Sequence, residues 1–154
     1  MKGLLVKISI CLLLLLPVNA NAARCDVTTT PVTFGSYDVF SSYPLDTTGT
    51  ISVSCHTPEN KTLPIEVTIN SGFSGSFNPR QMRRTSGADR MNYYLFVNSS
   101  RTQIWGDGSS STFVYKGNIY KDSPLNLLVY GRVPPRQNLR VGSYSDNLVV
   151  TVSW

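Results

Sequence analysis

The sequence predicts an all-β fold, an immunoglobulin-like antiparallel β-sandwich of one domain. Apolar and β-branched residues alternate at period two along most of the chain, and clusters of Gly, Pro, Asn and Ser separate the runs. No long amphipathic helical pattern occurs, so a parallel sheet would have no crossover helices to bury its second face. About seven or eight short strands of this kind fit a sandwich.

The first run, Asp26 to Phe34, carries Val27, Val32 and Phe34, and Pro31 marks an edge position or a break. Thr48 to His56 follows, with Ile51, Val53 and Cys55 on one face and Ser52 and Ser54 on the other. Leu63 to Asn70 repeats the scheme, placing Ile65, Val67 and Ile69 inward until Asn70-Ser71-Gly72 ends the strand. From Phe73 to Arg90 no clean period is visible. That stretch holds Arg80, Arg83, Arg84 and Arg90 between glycine and proline interruptions and reads as a long surface connection with solvated charge.

Met91 to Val97 is a strand rich in aromatic residues. Tyr93, Tyr94 and Phe96 cannot all face inward, so at least one lies on the opposite side. Gln103 to Trp105 and Phe113 to Tyr115 read as short strands, with Gly106 to Ser111 as a loop and Lys116 to Pro124 as a turn-rich connection. Leu125 to Val133 is a strand ended by Pro134-Pro135. The last run, Tyr144 to Trp154, puts Leu148, Val150, Val152 and Trp154 on one face.

Met1-Lys2-Gly3, the apolar run to Leu16 and the small residues around Ala20 and Ala22 have the form of a secretory signal peptide over residues 1–22. Residues 23–154 are then the mature domain. The formal charge of the whole chain is +5, and losing Lys2 and Lys7 lowers it by two, which weakens any case for nucleic acid as a partner. Cys11 falls in the leader, so Cys25 and Cys55 remain as an even pair in an exported chain and read as one disulfide. Such a bridge constrains the unfolded chain by about 3 to 4 kcal/mol in the chain-entropy model.

Enzyme chemistry finds little support. His56 is the only histidine, which leaves too few ligands for a metal site, and Gly72-Phe73-Ser74-Gly75-Ser76 lacks the last glycine of a nucleophile elbow. Asp107, between two glycines, lacks the further acids of a calcium loop and reads as a turn packed under Trp105. No catalytic residue, cofactor, metal or small-molecule substrate is expected.

The closing run ends on Trp154 without a polar tail. At a sheet border, its unpaired backbone and the apolar groove beside it would accept a strand from another chain; as an interior strand it would already be paired.

Ordered stretches across the mature chain resemble the spore coat U domain family, shared by spore coat proteins and by subunits of archaic, Csu-type chaperone-usher pili. They are Cys25 with Phe34-Gly35-Ser36-Tyr37, Thr48 to Cys55, Arg80-Gln81-Met82, Tyr94-Leu95-Phe96, Trp105 to Gly108, Val129 to Arg132, and Gly142 to Asp146 with the closing strand. The resemblance implies an immunoglobulin-like sandwich lacking its last strand. A periplasmic chaperone lends that strand, and at an outer-membrane usher the extension of a neighbouring pilus subunit replaces it. By that analogy the acceptor groove is formed by Val27, Val32, Phe34, Leu148, Val150, Val152 and Trp154. The implied course is export through the inner membrane, then periplasm, then cell surface or extracellular fibre.

With cleavage after Ala22 only Ala23 and Arg24 precede Cys25, too few to donate a strand of about five or six residues. The expected role is therefore a strand-accepting structural subunit of a surface fibre. The alternatives are a tip adhesin that binds a surface or glycan, and a spore or cell coat protein that does not polymerise.

Overall fold

A computed structural model describes residues 23–56, 62–121 and 123–154. The leader expected over residues 1–22 lies outside them. The strands are β1 (Arg24–Thr30), β2 (Leu45–His56), β3 (Leu63–Ile69), β4 (Arg80–Arg84), β5 (Arg90–Phe96), β6 (Tyr115–Ile119), β7 (Leu125–Val133), β8 (Tyr144–Ser145) and β9 (Val150–Ser153), with a 3-10 turn at Gly72–Ser74. One sheet has the order β1-β2-β7-β5-β4-β8 and the other β6-β3-β9, and every pair of strands is antiparallel. The two sheets form the sandwich that the alternation demanded.

Its core is the set of inward positions. Ile51, Val53 and Cys55 of β2, Ile65, Val67 and Ile69 of β3, and Leu127, Val129 and Val133 of β7 are buried, while their neighbours at odd offsets are more exposed. The Cys25–Cys55 disulfide closes β1 onto β2, where the two residues lie directly opposite. On β5, Tyr93 and Leu95 point into the core, and Tyr94 stacks on Phe96 at 6.0 Å on the other side. Trp105 is buried, and its indole N–H donates to the Val67 carbonyl at 2.9 Å.

Four readings of the sequence need correction. The stretch from Phe73 to Arg90 is not one surface connection, because Arg80–Arg84 is a strand between β5 and β8. Arg80 is 0% exposed. Its guanidinium donates to the carbonyls of Ile69 (3.3 Å), Asn70 (3.1 and 2.9 Å) and Trp105 (2.7 Å), groups that converge only in the folded chain. The sixth strand is Tyr115–Ile119, starting where the expected strand Phe113 to Tyr115 ends and running into the stretch read as turns; Gly117 and Asn118 are poor strand formers, but the ladder to β3 and the cross-strand Glu66–Lys116 ion pair hold them extended. Gln103 to Trp105 forms only isolated bridges, Phe96 to Ile104 and Trp105 to Phe113.

The last run, read as one strand, is two. Tyr144–Ser145 pairs with β4 in the large sheet and Val150–Ser153 pairs with β3 in the small one, so the chain crosses between sheets over Asp146–Val149. Among the described residues, no strand pairs with the other edge of β9 or with the outer edge of β1.

Candidate functional site

Those two unpaired edges border one opening that reaches the core, with Thr29 and Thr30 of β1 on one side and Val150 of β9 on the other. Pro31 has no N–H to continue the ladder, and after Thr30 the chain leaves the β2 ladder and runs irregularly to Asp38, with Gly35 at φ +72°. Two glycines admit this segment to the sheet face. A Cβ on Gly49 would lie 2.8 Å from both the Thr30 carbonyl and Val32 Cγ2, and one on Gly131 would lie 2.6 Å from Val32 Cγ1 and 2.9 Å from Phe34 Cζ. Phe34 meets Tyr93 edge-on at 6.2 Å. Further along, the Tyr37 hydroxyl donates to the Pro134 carbonyl and accepts from the Gln137 N–H, both at 2.8 Å, tying the wall to the loop after β7.

The Gly131 notch has a measurable consequence. Gly131→Ala is expected to destabilise the chain by about 1–3 kcal/mol, because the methyl must displace Val32 or Phe34. In a Val32→Ala background the same change costs less. Urea unfolding of the four variants of that cycle measures the difference, and equal costs in both backgrounds would mean that Val32 does not rest on Gly131.

The opposite wall is the crossing segment from Asp146 to Val150. The Asp146 carboxylate accepts from the Tyr93 hydroxyl at 2.7 Å and from the Phe73 N–H at 3.0 Å. Burial, then the hydrogen bond to Asp146, pushes the Tyr93 phenol far above its ordinary range, so it stays a donor. Asn70 grips Val149 from both sides, its N–H donating to the Val149 carbonyl and its side-chain oxygen accepting from the Val149 N–H, each at 3.0 Å.

Between the walls lies a cavity of about 440 Å³ floored by Ile51, Ile69, Met82, Tyr93, Leu95 and Val129. A second, of about 730 Å³, shares Val32, Phe34 and Met82 with it and continues past Met91, Leu139 and Tyr144 toward the loops at 38–40 and 140–143. Together they form a trench with an apolar floor. Its far rim carries Phe40 and Val141, 89% and 94% exposed, and Arg84 fixes that rim by donating to the Val141 carbonyl at 2.6 and 2.9 Å.

Of the seven groove residues expected from the sequence, Val32, Phe34, Leu148 and Val150 line one cavity from opposing walls. Val27 lies opposite the fully buried Val53, so it faces the interior side, yet it is 40% exposed: the small sheet does not reach over β1. Val152 packs on the core opposite Val67. Trp154 is more than half exposed and sits beside Glu66, Lys116 and Gly117 in a different depression. Sequence reasoning missed Met82, Met91, Tyr93 and Asp146 as part of the trench. The alternation Arg80-Gln81-Met82-Arg83-Arg84 was the one local sign that Met82 faces inward.

Comparison with known proteins adds three findings. The model of the Spore Coat Protein U domain family matches residues 13–151. "Protein U" of Myxococcus xanthus is 29% identical over 128 residues, which cover 79% of this chain and 70% of that protein. Among solved structures, the chain is similar to one from the CsuC-CsuE chaperone-tip adhesion subunit pre-assembly complex of the archaic chaperone-usher Csu pili of Acinetobacter baumannii. The TM-score is 0.61 at 19% identity, with 86% of this chain covered and 40% of that one, so the likeness is one of fold.

Proposed function

The chain belongs to the Spore Coat Protein U domain family, and from that premise we propose that it is an exported structural subunit of a chaperone-usher surface fibre. In this reading residues 1–22 direct export, and the trench accepts a strand from a periplasmic chaperone and then from a neighbouring subunit. The observation that carries it is the pair of free edges facing across an apolar trench. A strand laid beside β9 would extend the order β6-β3-β9 by one, cover Val27, and set alternate side chains over Met82, Leu95 and Val129. Main-chain hydrogen bonds would fix its register, and period-two side chains would fill the floor.

Expression in the periplasm with and without the chaperone tests this. The chain is expected to be recovered as a stable one-to-one complex with the chaperone, and without it in much lower yield as a monomer of low melting temperature. A stable soluble monomer in both cases would overturn strand acceptance. That result would favour the second reading, for which the family description speaks: a spore or cell coat protein that does not polymerise.

A further inference from the structure

On the outer face of the large sheet, away from the trench floor, Arg83 of β4 stands directly opposite Arg90 of β5. Like charges facing each other on adjacent strands repel, and the usual relief is a carboxylate between them. None serves here. Among the described residues neither guanidinium pairs with an acid: Arg90 donates only to the carbonyls of Ala88 and Asp89, and the Arg83 guanidinium donates no hydrogen bond. The nearby Asp89 carboxylate is turned to Arg84 at 3.4 Å and Arg140 at 3.9 Å. Both cations instead share one half-exposed ring, with Cζ of Arg83 3.7 Å and Cζ of Arg90 5.1 Å from the centroid of Phe73.

The next rung on the same face is Gln81 opposite Asn92, about 7 Å along the strands. The Gln81 amide donates to the Asn92 side-chain oxygen at 2.9 Å, and among the described residues the Asn92 amide N–H groups and the Gln81 carbonyl oxygen make no other hydrogen bond. Two guanidinium forks beside neutral amides and an apolar ring edge match a ligand with carboxylates and hydroxyls on one extended backbone. We propose that the Arg83–Arg90 rung, with Phe73 and the Gln81–Asn92 rung, binds an acidic polysaccharide. A small free anion would use the arginines and leave the amides idle. A lipid surface would call for an aromatic ring free to insert, whereas guanidinium groups flank this one. The site needs no strand in the trench, so it stands apart from the function proposed above.

Titration of the purified full chain with polygalacturonate at low salt, followed by calorimetry, reads the proposal. Saturable binding is expected, weakened at least about tenfold in Arg83→Ala/Arg90→Ala and within about twofold of the parent in the control Arg24→Ala/Lys121→Ala, which removes the same charge elsewhere. Gln81→Leu/Asn92→Leu keeps both cations and is expected to weaken the polymer by about threefold or more while leaving inorganic phosphate binding unchanged. Equal losses in the site and control variants would mean unspecific charge attraction. Phosphate displacing the polymer at equal anion concentration would mean a simple anion site. Either result, or no saturation, overturns the proposal.

Discussion

A synthetic peptide of about nine residues with alternating apolar side chains raises the melting temperature of the chain by on the order of 10 °C or more, whether added in excess or fused after Trp154 through a short linker. The size follows from the trench. Four side chains seated on its floor gain about 1.5–3 kcal/mol each when fully buried. Ordering the peptide backbone costs about 1–2 kcal/mol per residue, which the ladder along β9 and the burial of Val27 and Phe34 must help to offset. Each kcal/mol of net gain shifts the midpoint by several degrees in a domain of this size. A scrambled peptide of the same composition, with the alternation broken, should give a much smaller shift because half its apolar groups point to solvent. No difference between the two peptides would sink the idea that a strand is what the trench lacks.

Replacing Arg80 is the second large effect. Arg80→Met keeps most of the volume but leaves the carbonyls of Ile69 and Trp105, in buried bonds, and of Asn70, in a part-buried one, without their donor. Each stranded acceptor costs about 1–3 kcal/mol, and the expected total loss is about 3–5 kcal/mol. Burial lowers the Arg80 pKa to about 10, still well above neutrality, so the cation persists and the Phe77 ring, 5.0 Å from Cζ, supplies a further favourable contact. Nη1 has no partner among the described residues, and Nε and Nη2 make all the contacts; Arg80→Lys, with one nitrogen reaching one carbonyl rather than three, should recover less than half of the loss. Urea unfolding reads both. A loss below about 1 kcal/mol in Arg80→Met would mean that solvent already satisfies those carbonyls.

The alternating runs of β2, β3, β5 and β7 were legible because their physics is local: one face is buried, and period two writes that face into the chain. The disulfide was legible from cysteine number and compartment. Arg80 was not, since an arginine among glycines and prolines looks solvated until three distant carbonyls meet around it. The split of the closing run was also hidden, because Tyr144, Leu148, Val150 and Val152 share one face in period two and only Asp146 breaks it; held by Tyr93 and the Phe73 N–H, Asp146 carries the backbone across the sandwich. For the trench, Val32, Phe34, Leu148 and Val150 could be named from alternation and resemblance. Its floor could not, because Met82 and Met91 face each other only once β4 and β5 pair.

The crossing at Asp146–Val149 sets how the domain would carry a pulling force. A strand seated along β9 would be drawn lengthwise, parallel to the ladder, so its hydrogen bonds would be loaded together in shear instead of opening one after another like a zip. The same stretch is fastened to the large sheet through Tyr144–Ser145 and to the small sheet through Val150–Ser153, and tension entering there is shared by both layers. Mechanical toughness of this kind comes from the direction of loading and does not require a high resting stability.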